Sequence, residues 1–141
     1  EQFFSSFAAL RDETGDMAVM RAMHFYAENT RVSKQAKALR RGEVEVFLNL
    51  ANESGRSSWM LLQNVLLRSK TSEGLAVTVC ENVLDGIGMC RVHGGGFGGA
   101  ALVIIPNDRE EEIINKIETV LGSSVAVKIN IRNRGPEVIR L

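Results

Sequence analysis

The chain has 141 residues, and its 17 lysines and arginines balance 17 aspartates and glutamates, so the formal net charge is zero. Hydrophobic residues make up 45% and charged residues 24%, ordinary values for a globular protein with a sizeable core. This composition argues against a nucleic-acid partner, which usually requires a basic excess. It also argues against a membrane protein, because no apolar run approaches the ~20 residues of a bilayer span. The 2 cysteines are too few for a disulfide framework and favour a cytoplasmic protein.

The first part of the sequence has the apolar spacing of helices. This spacing predicts helices over residues 1–11, 17–41, 43–54, 57–67 and 72–85. In the third of them, Val44, Phe47, Leu48 and Ala51 recur at helical intervals, and Gly55 is then expected to interrupt the helix.

The pattern changes from helical to extended after residue 86. Apolar runs predict strands over 87–93 and 100–105, a helix over 107–121, and further strands over 125–131 and 137–141. Val125, Val127, Ile129 and Ile131 alternate with other residues, which is typical of a half-buried strand. The predicted fold class is therefore α+β, with one domain over 1–141. N-terminal helices precede a β-β-α-β-β arrangement, and helices pack on an antiparallel sheet.

A loop of mostly glycine separates the first two predicted strands, and we call residues 94–99 the glycine loop. It consists of Gly94, Gly95, Gly96, Phe97, Gly98 and Gly99. A tight hairpin needs only one or two glycines, so we interpret this loop as a surface for close approach, with bare amides turned toward an anion or another loop. It is not a dinucleotide fingerprint, because a strand and not a helix follows the last glycine. A hairpin loop without a ligand is the alternative interpretation.

Five polar side chains are candidates for a site or for a structural network. Arg91 and His93 precede the glycine loop and leave the same face of their strand. We expect Arg91 to pair with a carboxylate such as Glu28, whereas His93 is either a donor near phosphate or sugar, or a strand-end histidine bonded to backbone. His24, Glu28 and Arg31 share one helix face and favour a structural network over an acid–base pair. The cysteines and histidines lack metal-ligand spacing, so we predict no metal site and place the cysteines in the core.

Four stretches together resemble the galactokinase branch of the GHMP kinases, a family named after galactose, homoserine, mevalonate and phosphomevalonate. They are the glycine loop with its preceding strand from Gly88, the Arg21–Val32 segment, the Gly42–Phe47 segment with Glu53 and Ser54, and the Ser54–Trp59 segment with Leu62, Gln63 and Asn64. Their order and spacing extend the resemblance over nearly the whole chain. The chain departs from the family at His93, where a threonine is common.

The resemblance implies the C-terminal domain of an ATP-dependent sugar kinase, with galactose as the expected substrate. In such kinases an N-terminal domain binds ATP and Mg²⁺ and carries the catalytic carboxylate. We find none of that domain's motifs in this sequence, so we expect no catalytic or metal-binding residue here and no activity of this chain alone. The expected partner is that absent N-terminal domain, and the glycine loop, supported by Arg91 and His93, would close one side of the active site. Two alternatives stay open: a non-catalytic sugar-responsive regulator on the same scaffold, and a GHMP kinase for another small alcohol.

Overall fold

The computed structural model describes residues 6–65, 72–97, 99–131 and 133–135. In chain order the elements are α1 (Phe7–Thr14), α2 (Asp16–Arg40), α3 (Val44–Ser57), a π-helical turn (Ser58–Leu62), α4 (Ser72–Leu84), β1 (Met89–His93), β2 (Ala100–Ile104), a 3-10 turn (Asn107–Arg109) and α5 (Glu110–Leu121). Helices thus precede a small antiparallel sheet, which confirms the α+β class. Of the predicted helix over 1–11, the first five residues lie outside the described ranges.

Helix α3 continues through Gly55, so the predicted break at this glycine is wrong. A Cβ atom on Gly55 would lie 2.9 Å from the Cβ of Arg91 and 3.3 Å from the carbonyl oxygen of Cys90. Glycine is therefore needed here because α3 lies directly against β1, and not because a helix ends. Asn52 strengthens the same contact: its amide nitrogen donates to the carbonyl oxygen of Gly88 (3.0 Å), and its Oδ1 accepts the N–H of Cys90 (3.1 Å).

The two strands form an antiparallel pair in which Met89 faces Ile104 and His93 faces Ala100. Both predicted strands are confirmed. The first begins two residues later than predicted, and the second ends one residue earlier. β1 is the inner strand: Met89 and Val92 are 2% and 3% exposed, whereas β2 is half-buried to exposed along its length. The sheet therefore presents β1 to the helices.

The predicted strand over 125–131 is not formed, so the β-β-α-β-β order is not confirmed. Val125, Val127, Ile129 and Ile131 are 48%, 79%, 64% and 95% exposed. Alternation becomes a strand only where a neighbouring strand accepts its hydrogen bonds, and the sheet in the described ranges contains only β1 and β2. The last predicted strand, over 137–141, lies outside the described residues.

Two groups of buried side chains hold the layers together. The larger joins α4, β1 and α5 and contains Val65, Val77, Cys80, Leu84, Cys90, Val92, Ile113 and Ile117. The smaller joins α3 to β1 through Leu48, Ala51 and Met89. Both cysteines are thus core residues, as predicted. The neighbouring Cys80 thiol and burial raise the pKa of the Cys90 thiol, which keeps it protonated. Within the described ranges, none of the helices combines the length and hydrophobicity needed to cross a bilayer.

Candidate functional site

The glycine loop leaves β1 with a backbone that ordinary side chains rarely adopt. Gly94 has a φ of 70°, Gly96 of 82° and Phe97 of 63°, all in the left-handed region, while Gly95 between them lies outside it. Two glycines therefore stand where the backbone requires them. Phe97 adopts this conformation without being a glycine and is 59% exposed at the tip of the loop. Gly98 lies outside the described residues.

The loop is anchored to Asn64, which follows the π-helical turn. The N–H of Phe97 donates to the backbone carbonyl oxygen of Asn64 at 2.7 Å. The side-chain amide of Asn64 donates to the carbonyl oxygen of Gly95 at 3.1 Å. Ser58 donates its hydroxyl to Oδ1 of Asn64 at 2.8 Å, and both side chains are buried. Sequence reasoning did not single out Asn64 as a contact of the loop, because the pairing joins positions far apart in the chain.

The remaining amides of the loop are available to a ligand. Among the backbone hydrogen bonds of the described residues outside the helices and strands, none has the N–H of Gly94 or Gly95 as its donor. Successive amides in a backbone that switches into and out of the left-handed region form a concave, positively polarised surface that suits an anion. Chemically, this arrangement can bind and orient a phosphate or carboxylate group, but it offers no nucleophile or base.

Arg91 is engaged with α2 and α3 beneath the loop. Its Nη1 donates to the hydroxyl oxygen of Ser54 at 2.7 Å and lies 3.9 Å from Oε1 of Glu28, which confirms the predicted ion pair. Ser54 in turn donates to Glu28 at 2.5 Å, and Arg31 also forms an ion pair with Glu28. The side chains of Arg91 and Glu28 are 27% and 21% exposed, so the pair is partly shielded from water. This network fixes β1 against the two helices.

His24 belongs to the same helix interface and not to an accessible reaction site. It is 9% exposed, and its Nδ1 is 2.9 Å from the hydroxyl oxygen of Ser57. Burial lowers its pKa, and the nearby carboxylate of Glu28 only partly opposes this effect. The structural network predicted for His24, Glu28 and Arg31 is therefore present. His93, by contrast, is exposed at the end of β1, next to the glycine loop.

Two further features had no clear signal in the sequence. Glu73 on α4 is 4% exposed, and its Oε1 lies 3.8 Å from the position that a Cβ on Gly99 would occupy. A cavity of about 460 Å³ is lined by residues on either side of Asn64, namely Trp59, Met60, Gln63 and Val65. In the part of the chain that the structure describes, no three acidic, cysteine or histidine side chains cluster as metal ligands would.

Comparisons with known proteins identify similar sequences. The chain is 30% identical over 112 residues to galactokinases of Clostridium perfringens, including those of strain SM101 and strain 13. The match covers 79% of this chain but only 28% of each relative, so the chain spans less than a third of the length of the curated relatives it matches. A comparison with protein-family models finds no match. The predicted resemblance to galactokinases is thus confirmed, and the chain is galactokinase-like over most of its length.

Proposed function

We propose that this chain is the C-terminal domain of a galactokinase-like, ATP-dependent sugar kinase, and that its glycine loop closes the phosphoryl-transfer site. The observation that carries the proposal is the pair of exposed amides at Gly94 and Gly95, for which no backbone acceptor is found in the described residues and whose backbone suits an anion. The similarity to galactokinases supplies the identity of that anion, since these enzymes are kinases.

ATP, bound with Mg²⁺ mainly by the N-terminal domain, supplies the phosphoryl group that is transferred to a sugar hydroxyl. Phosphoryl transfer is catalysed chiefly by positioning and by stabilisation of charge, so backbone donors contribute without a reactive side chain. The amides of Gly94 and Gly95 donate hydrogen bonds to phosphoryl oxygens and hold them in place. The catalytic carboxylate and the Mg²⁺ ligands belong to the N-terminal domain, which is consistent with the chain spanning 28% of its relatives.

Arg91 and His93 support the loop in different ways. Arg91 acts through β1: its contacts with Ser54 and Glu28 hold the strand from which the loop emerges. His93 is exposed at the last position of β1, where its ring can donate to the sugar or to a phosphoryl oxygen. Galactose is the proposed sugar, and the enzyme acts in the cytoplasm.

The first experiment compares the natural full-length polypeptide with the 141-residue chain alone. ADP release is measured with galactose and a small panel of sugars and alcohols. We expect turnover with galactose by the full-length protein and none by the isolated chain. Saturable sugar binding without turnover would favour the sugar-responsive regulator, and turnover with a different alcohol would favour another GHMP kinase. Turnover by the isolated chain would contradict the proposal that the catalytic residues lie in the N-terminal domain.

The second experiment tests whether the loop faces the phosphoryl group. Gly95 lies outside the left-handed region, and no atom lies within 4 Å of a Cβ placed there, so a side chain fits. Gly95→Asp adds a negative charge, and Gly95→Asn adds a neutral side chain of nearly the same shape. In the full-length protein we expect Gly95→Asp to lower kcat at least about tenfold relative to Gly95→Asn, because the charge repels the phosphoryl oxygens. Equal kcat values would place the loop away from the transferring group.

A further inference from the structure

We infer that Asn64 is a positioning residue of the phosphoryl-transfer site and holds the glycine loop in its active geometry; this inference rests on the proposed function. In this role Asn64 would touch neither the sugar nor the phosphate and would act only through the loop. Three hydrogen bonds, one close steric contact and an unusual helix end carry the inference.

The side-chain amide of Asn64 is oriented by its two partners. The carbonyl oxygen of Gly95 can only accept, so the nitrogen of Asn64 faces the loop and donates to it at 3.1 Å, while Oδ1 accepts the hydroxyl of Ser58 at 2.8 Å. The backbone carbonyl of Asn64 accepts the N–H of Phe97 at 2.7 Å. Asn64 is 5% exposed, so these bonds are sheltered from competing water. One residue thereby fixes the loop on both sides of Gly96.

Gly96 packs so closely against Asn64 that no side chain fits between them. A Cβ at this glycine would lie 2.3 Å from the carbonyl oxygen of Asn64 and 2.9 Å from its Nδ2. The contact is therefore close enough that the loop backbone rests on Asn64. Gly94 and Gly95, which offer their amides to the ligand, have no atom within 4 Å of an added Cβ. The loop thus has a docked side at Gly96 and an open side at Gly94 and Gly95.

Two departures from regular α-helix, directly before Asn64, determine its position. Residues Ser58–Leu62 form a π-helical turn, a rare feature that is frequent at functional sites. Gln63 then has a φ of 56°, in the left-handed region that residues other than glycine seldom occupy. Together these departures end the helix and direct residue 64 to the loop. Local strain of this kind persists where the surrounding structure requires it.

Asn52 provides a matched comparison within the same chain. It also bridges a helix to the hairpin with both ends of its amide, but it bonds to Gly88 and Cys90 at the start of β1, away from the loop. Its loss removes the same number of side-chain hydrogen bonds without freeing the loop. A structural role and a positioning role can therefore be separated by comparing the two asparagines.

The test uses the natural full-length protein with four variants, Asn64→Ala, Asn64→Asp, Ser58→Ala and Asn52→Ala. Asn64→Asp keeps Oδ1 but places a second oxygen opposite the carbonyl of Gly95. Amide hydrogen exchange at Phe97, kcat, KM for ATP and thermal stability are measured for each. We expect both Asn64 variants to exchange the Phe97 amide at least about tenfold faster. Their kcat should fall about 10- to 100-fold, while KM should stay within about threefold.

Ser58→Ala is expected to shift exchange and kcat in the same direction by less, and Asn52→Ala to lower thermal stability with loop exchange and kcat near wild type. The inference is overturned if the Asn64 variants leave Phe97 exchange unchanged, or if Asn52→Ala reproduces their kinetic pattern. If an Asn64 variant does not fold, Ser58→Ala decides by the same readouts. If the wild-type protein shows no turnover, the proposed function fails, and the exchange measurement alone still decides whether Asn64 holds the loop.

Discussion

Substituting the glycines of the loop one at a time by alanine tests the described geometry most directly. Gly94, Gly95 and Gly96 are consecutive and chemically identical, yet the structure gives each a different environment. Gly95 lies outside the left-handed region with open space around it, Gly94 is left-handed with open space, and Gly96 is left-handed and against Asn64. The three variants therefore separate backbone strain from steric contact.

The expected costs follow from these environments. Gly95→Ala should be neutral or slightly stabilising, by roughly 0.4–1 kcal/mol, because alanine restricts the unfolded chain. Gly94→Ala should cost about 1–2 kcal/mol for a left-handed side chain. Gly96→Ala carries that same cost, and its Cβ, 2.3 Å from the carbonyl oxygen of Asn64, also forces the loop away. Losing the Phe97–Asn64 hydrogen bond then adds about 1 kcal/mol, for a total of about 2–3 kcal/mol.

Chemical denaturation and residue-resolved amide exchange measure these effects together. The unfolding free energy should decrease in the order Gly95→Ala, Gly94→Ala, Gly96→Ala. Faster exchange at Phe97 should be largest in Gly96→Ala. If Gly96→Ala matched Gly94→Ala in both measurements, the loop would not rest on Asn64, and the described contact between them would be refuted.

Two more substitutions test the packing around β1. Gly88 has a φ of 73°, and a Cβ there would lie 2.0 Å from the carbonyl oxygen of Ile104, so Gly88→Ala should lower the unfolding free energy by about 3 kcal/mol or more. A midpoint of denaturation close to wild type would contradict the described hairpin. Burial is the chief cause that lowers the pKa of His24 from its ordinary 6.5. Near pH 6.5 the His24 ring is therefore protonated more readily in the unfolded chain than in the folded one, and the free energy of unfolding falls as the pH drops through 6.5. A tenfold difference in proton affinity corresponds to about 1.4 kcal/mol. The His24→Asn variant can still hydrogen-bond Ser57 but does not titrate, so between about pH 7.5 and about pH 5.5 its free energy of unfolding should fall less than that of the wild type. Equal decreases would show that His24 does not cause the pH dependence.

The sequence predicts well those elements whose signal is local. The long helix α2 lies one residue from each predicted bound, and β1 and β2 lie where the apolar runs on either side of the glycine loop place them. The ion pair of Arg91 with Glu28 is also confirmed, because a partly buried arginine needs a carboxylate and few are available on the facing helix. Helical spacing, strand alternation and charge pairing each act over a few residues or across one interface.

Other features depend on partners that a sequence pattern does not reveal. Gly55 looks like a helix break, but the close approach of Arg91 from β1 is what requires glycine there. Val127 and its alternating neighbours satisfy every local criterion for a strand, yet no neighbouring strand pairs with them in the described part of the sheet. Asn64 belongs to a stretch that resembles galactokinases, but its contact with the glycine loop arises only when the π-helical turn brings it there.

The segment from Asn52 to Asn64 also acts as a spacer of fixed length. Its two asparagines hydrogen-bond the hairpin at Gly88 and at Gly95. Between them the chain runs through the end of α3 and the π-helical turn, and the left-handed Gln63 sets the direction of Asn64. One residue inserted or deleted within α3 would turn every following residue by about 100° around the helix axis. We therefore expect insertions and deletions between positions 52 and 64 to break one of the two attachments.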